Sequence, residues 1–252
     1  MTLDAIIEDY YKLYVGDKAS VAKPSMYFEL YRKYFAELFD REIVVLELGI
    51  FDGHSLETFS RMFPKAKVIG VDRAWCERSF TSDRVRMYQG LQDDPALFQR
   101  IMTENGIHQF DIVIDDCSHV GSLTMESFKI LYPHLAPGGL YVIEDWGTGY
   151  FPKYAGGVAF NHRNHLACRQ RVPQAVLALA SRMLGRFPVK LKVWREWFPS
   201  HLYGIPGMIK QLVDEVAMPD ITGHLGTGGN IASKLDYLHV YNGITFMKKP
   251  AA

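Results

Sequence analysis

Two short runs place acids where they can do chemistry: Asp115-Asp116 follows the apolar run FDIVI, and Glu144-Asp145 follows LYVI. His119 comes three residues after Asp116, in Asp-Asp-Cys-Ser-His. Neighbouring strand ends of a parallel sheet lie about 5 Å apart, so four carboxylates there share one rim. Crowded anions repel and raise one another's pKa unless a cation relieves them. A hard divalent ion such as Mg²⁺ takes oxygen ligands and keeps positions for water and substrate. His119, as a histidine, can act as a base and remove a proton from a hydroxyl that the metal has acidified. The plainer alternative is a row of helix N-caps open to water, with His119 a satisfied surface or cap histidine.

A second constellation precedes these acids. In Glu47-Leu-Gly-Ile-Phe-Asp-Gly-His-Ser55 an apolar strand ends at Gly49, and Gly53 follows four residues later. Glycines there let the backbone turn sharply and approach a ligand closely, although the same spacing also serves a simple strand-to-helix turn. Asp72 closes the next strand about twenty residues on, where a carboxylate can accept both hydroxyls of a ribose. Glu47 is out of place at a phosphate site, which needs donors. It suits a cofactor with a cationic amino-acid end and no phosphate. These residues point to S-adenosyl-L-methionine, with Glu47, Gly49, Phe51, Gly53 and Ser55 in the loop and Asp72 at the ribose. Gln92, in Gly90-Leu-Gln-Asp-Asp94, is a candidate for adenine, and Asp115 for the cofactor side of the acid rim. Asp93 or Asp94 reads equally well as the N-cap of a helix that begins at Pro95.

The elements that must position these groups are legible in the pattern. Apolar runs at 43–49, 67–72, 85–90, 110–116 and 139–145 alternate with periodic segments at 54–63, 94–105 and 122–135. Strands alternating with helices of that length predict a parallel sheet covered on both faces. YLHVY (237–241), Asn242-Gly243 and ITFMKK (244–249) predict a two-residue hairpin with a type I′ turn. A parallel sheet that ends in an antiparallel hairpin is a Rossmann-like α/β fold of the class I methyltransferase kind, not a nicotinamide domain. The whole chain, 1–252, reads as one such domain. Residues 1–40 form a helical cap of two helices, the second starting at Pro24. Residues 151–205 form an insert, with nine Lys/Arg against Glu196 alone within 151–200.

Composition sets bounds on partners. Hydrophobic residues at 48% and charged residues at 22% are globular values. Twenty-eight basic residues balance twenty-eight acidic ones, which disfavours a nucleic-acid partner. Three dispersed cysteines fit a reducing compartment. The start of the chain does not read as a signal peptide, and no run of apolar residues is long enough for a transmembrane segment. The expectation is a cytoplasmic protein acting on a small-molecule or carrier-bound hydroxyl acceptor, with homo-oligomerisation left open.

Several segments recur together in one known group: Tyr14-Val-Gly-Asp-Lys18, Tyr27-Phe-Glu-Leu-Tyr-Arg-Lys-Tyr-Phe35, LELGIFDGHSL, IDDCSH, IEDWGTGY and HVYNGITFMKK. With them the chain resembles the metal-dependent O-methyltransferases that modify macrolide sugars, the mycinamicin and tylosin type, over roughly residues 10–154 and 203–249. The resemblance implies Asp116, Glu144 and Asp145 as metal ligands and His119 as general base. It implies O-methylation of a hydroxyl on a sugar or polyketide-type natural product. Cys117 stands where a glycine is usual, and Trp146-Gly147 where Leu-His is typical. Proteins similar to cephalosporin hydroxylase share much of the pattern, so a hydroxylase component is one alternative. A non-catalytic scaffold that binds the cofactor is another.

Overall fold

The computed structural model describes residues 2–16, 21–157, 204–223, 226 and 228–251. Of the basic insert expected at 151–205, only 151–157 and 204–205 fall within these residues.

Seven strands form one sheet: β1 (Val44–Leu48), β2 (Lys67–Asp72), β3 (Val85–Gln89), β4 (Phe110–Asp115), β5 (Leu135–Ile143), β6 (Tyr237–Val240) and β7 (Thr245–Lys248). Their order is β3-β2-β1-β4-β5-β7-β6. The first five are parallel, while β7 pairs antiparallel with both β5 and β6. Successive strand residues face opposite sides, and each side has its own core. Val45, Val68, Ile112, Ile114, Val142 and Phe246 join one cluster with α1 (Leu3–Lys12), α2 (Ser25–Phe35) and α3 (His54–Met62). Leu46, Ile69, Val71, Val113, Tyr141 and Met247 join the other with α4 (Pro95–Asn105) and α6 (Gly204–Val216). The strand order reverses direction at β1/β4, which opens a crevice beyond the carboxyl ends of the strands.

The helix starts follow local chemistry. Thr2 caps α1 by accepting from the Ala5 N–H, and Asp94 caps α4 by accepting from Ala96, with Pro95 at the first helical position. Pro24 is the N-cap of α2, as the sequence indicates. The segment expected as helix over 122–135 behaves differently. Helix α5 (Gly121–Leu131) stops before Pro133, and β5 begins at Leu135. Proline supplies no N–H to continue a helix.

The closing hairpin has its two-residue turn at Asn242-Gly243, bracketed by Tyr241 N–H donating to the Ile244 carbonyl at 2.8 Å. It is not type I′, which needs positive φ at both turn residues. Only Gly243 has it, at +77°. The departure is at Asn242, while Gly243 is closely packed. A Cβ on Gly243 would run into the Tyr27 hydroxyl, and the Gly243 carbonyl accepts from the Trp146 N–H at 3.3 Å. The hairpin tip therefore abuts the loop that follows Glu144-Asp145. Among the described residues no helix is long and apolar enough to cross a membrane.

Candidate active site

A cavity of about 800 Å³ opens at the carboxyl ends of the strands. Its lining brings together Gly49, Phe51, Ser55, Asp72, Gln92, Asp116, His119 and Asp145 from the sequence analysis. Glu47, Gly53, Asp115 and Glu144 do not line it. Within each acid pair, one carboxylate meets the cavity and its neighbour points into protein.

At one end the loop after β1 closes on Asp72. Its Oδ2 accepts the backbone N–H groups of Ile50 (3.0 Å) and Phe51 (3.2 Å), and its Oδ1 accepts Ala74 N–H (3.0 Å). The loop also lies against β4: a Cβ on Gly49, where φ is +80°, would meet the Asp116 carbonyl. Only glycine allows both that φ and that approach. Glu47 sits behind the loop, fully buried, with Oε2 accepting from Ser55 Oγ at 2.7 Å. Burial pushes its carboxyl up to about 7 against the pull of Lys23 and Ser55. Gln92 ties the floor together, donating to Ser127 Oγ at 2.8 Å and accepting Ser118 N–H at 3.1 Å. Asp115 is buried on the far side, near the Tyr141 hydroxyl at 3.4 Å, and burial pushes it up to about 7 as well.

At the other end Asp116, His119 and Asp145 converge. One ligand atom from each lies within 4.8 Å of the others. Asp116 Oδ1 is 3.9 Å from His119 Nε2, and Asp145 Oδ1 accepts the Tyr27 hydroxyl at 2.7 Å. Partly exposed O, O and N donors on a cavity wall are a set that fits a divalent cation. Phe51, His119 and Asp145 all hold positive φ, at 49°, 55° and 50°. Among the described residues only one other non-glycine, Asn230, does so. Such strain persists where the surroundings over-determine the backbone, and it clusters at functional sites.

The expected ligand Glu144 is not one of these three but lies beside them, sharing the Lys23 ammonium with Asp116. It is buried, its Oε2 accepts from Lys23 Nζ at 2.7 Å, and Oε1 accepts from the Tyr31 hydroxyl. Lys23 also reaches Asp116 Oδ2 at 2.6 Å and Glu47 Oε1 at 3.3 Å. Burial alone would lower the ammonium's pKa, but the carboxylates of Asp116, Glu144 and Glu47 outweigh it and hold the pKa above its usual value. The relief that crowded anions demand is thus met in part by the chain itself. Sequence reasoning missed Lys23, Tyr27 and Tyr31. The two tyrosines stand four apart on one face of α2, a signal that also fits plain core packing.

No family model matches the chain. Over 134 residues it is 40% identical to 8-demethyl-8-(2-methoxy-alpha-L-rhamnosyl)-tetracenomycin-C 3'-O-methyltransferase of Streptomyces olivaceus, a match covering 50% of this chain and 34% of that protein. It is 37% identical over 134 residues to mycinamicin VI 2''-O-methyltransferase of Micromonospora griseorubida, covering 50% and 33%. The solved MycE methyltransferase from the mycinamycin biosynthetic pathway, in complex with Mg, SAH and mycinamycin VI, aligns at a TM-score of 0.65 and 26% identity. That alignment covers 99% of this chain and 53% of the other. The matches span about a third of the curated relatives' length. Sequence and structure share the resemblance to sugar O-methyltransferases of the mycinamicin type, and the fold is that of class I methyltransferases.

Proposed function

We propose that this chain transfers a methyl group from S-adenosyl-L-methionine to a hydroxyl of a sugar or polyketide-type natural product, in the cytoplasm, with the help of Mg²⁺ or another divalent cation. The observation that carries this reading is one cavity with Asp72 at one end and Asp116, His119 and Asp145 at the other. The relatives' names and the Mg and SAH of the MycE complex support it.

In this reading Asp72 holds the ribose, and the strained loop at Gly49–Phe51 lets the cofactor approach the strand ends. Gln92, between the loops after β3 and β4, borders the adenine. Glu47 and Asp115 act from behind the wall, Glu47 through Ser55. Asp116 and Asp145 hold the cation, because a hard ion such as Mg²⁺ takes oxygen ligands. His119 is thereby left free to receive the proton. When bound, the cation stabilises the developing alkoxide and orients neighbouring acceptor oxygens. His119 Nε2 takes the hydroxyl proton as the C–O bond forms and the C–S bond breaks, leaving a methyl ether and S-adenosylhomocysteine. Much of the rate comes from holding the acceptor oxygen in line with the methyl group.

The test is mass spectrometry of hydroxylated glycosides incubated with the protein, Mg²⁺ and cofactor labelled in its methyl group. The expected product carries the label on one sugar hydroxyl. A product that has gained oxygen and no label would replace this reading with a hydroxylase.

A further inference from the structure

Asp145 stands in the left-handed region, at φ 50° and ψ 30°. Aspartate tolerates that conformation better than most residues, yet it persists only where the surroundings enforce it. The carbonyl, the N–H and the carboxylate of Asp145 are all tied down. Its carbonyl accepts the Thr148 N–H at 3.0 Å and the Thr148 hydroxyl at 2.7 Å. Its N–H donates to the Tyr27 hydroxyl at 3.4 Å, and that hydroxyl donates to Asp145 Oδ1 at 2.7 Å. One phenol thus grips the main chain and the side chain of the same residue.

Two distant elements hold the phenol and the turn together. Tyr27 lies on α2, only 2% exposed, with its ring in the core cluster that α2 shares with α1 and α3. Its hydroxyl abuts the tip of the β6–β7 hairpin, where a Cβ on Gly243 would collide with it. The same tip secures the residue that follows Asp145. The Gly243 carbonyl accepts the Trp146 N–H at 3.3 Å, and the Tyr241 carbonyl accepts the Trp146 indole N–H at 2.8 Å. The turn at Asp145 is therefore clamped between α2 and the hairpin. Asp145 lines the cavity and Tyr27 does not, so Tyr27 acts on the cavity through Asp145.

The geometry points to Tyr27 as a positioning residue of the metal site, a role that rests on the metal-dependent reading above. It fixes the Asp145 carboxylate on the cavity wall, beside Asp116 and His119, before an ion arrives. A carboxylate already held in place gives up little freedom when it binds a cation. Hydrogen-bond partners of a metal ligand typically contribute about 10–100-fold to affinity. The hairpin shares in this by giving the hydroxyl room at Gly243 and by anchoring Trp146.

Mn²⁺ binding to the full chain, read from the electron paramagnetic resonance of the free ion, tests this without reference to turnover. Tyr27→Phe keeps the buried ring and removes both bonds to Asp145. It is expected to weaken Mn²⁺ about tenfold, while S-adenosylhomocysteine affinity, measured by calorimetry in EDTA, stays within error of wild type. Asp145→Gly removes the carboxylate at a backbone position that glycine adopts readily. In that background Tyr27→Phe is expected to cost less than about twofold, because the phenol has lost the group it acts through. The role is overturned if Tyr27→Phe binds Mn²⁺ as wild type does. It is overturned equally if Tyr27→Phe weakens S-adenosylhomocysteine to the same degree, or if its full loss persists on Asp145→Gly. Should Asp145→Gly take up too little Mn²⁺ to measure, the first two comparisons decide. Wild-type protein that takes up no Mn²⁺ overturns the metal-dependent reading itself, an outcome separate from altered ranking among variants that bind.

Discussion

At the scale of single residues the site depends on which way each acid of a pair points. Asp115 is buried against Tyr141 while Asp116 meets the cavity, and Glu144 is buried against Lys23 and Tyr31 while Asp145 meets it. His119 stands beside the two cavity-facing acids, 3.9 Å from Asp116 Oδ1. A general base contributes about 10²–10⁴-fold, so His119→Ala should lower kcat by that range and leave the affinity for S-adenosylhomocysteine within error. Steady-state kinetics with calorimetry of the product complex checks both. A variant with unchanged kcat would make His119 structural. The residue types were legible in sequence, because acids at strand ends and a histidine three positions on form a local pattern. Their directions were not. The partners that fix them are remote: Lys23 lies 93 residues from Asp116 and 121 from Glu144, and Tyr27 lies 118 from Asp145.

At the scale of elements, the sheet fixes the acids and the N-terminal helices hold them in place. Short apolar runs sufficed to read the five parallel strands, since buried parallel strands leave a dense hydrophobic signature, and Asn242-Gly243 marked the two hairpin strands. The hairpin turn was legible in place but not in type: Gly243 has the positive φ that type I′ needs and Asn242 does not. The link between α1 and α2 left little trace in sequence. It runs through the Tyr10 hydroxyl, which accepts the buried Lys23 N–H. Tyr10→Phe leaves that donor without its acceptor, which costs about 1–3 kcal/mol. Urea unfolding should show a lowered midpoint with an unchanged slope. A midpoint equal to that of wild type would mean the segment around Lys23 is held by other contacts.

At the scale of the whole molecule, strand order and chemistry coincide. The crevice that the β1/β4 reversal opens is where Asp72, Asp116, His119 and Asp145 line one cavity of about 800 Å³. Twenty-eight basic and twenty-eight acidic residues leave the chain as a whole without a net field. Most of the basic insert that the sequence places at 151–205 lies outside the described residues. In the proposed function the cofactor end and the acid end of the cavity act together in one metal-dependent transfer. The direct measurement is transfer of labelled methyl to a glycoside hydroxyl in EDTA, followed by addition of excess Mg²⁺. No labelled product is expected in chelator, with product recovered on adding Mg²⁺; undiminished transfer in EDTA would overturn the metal-dependent reading.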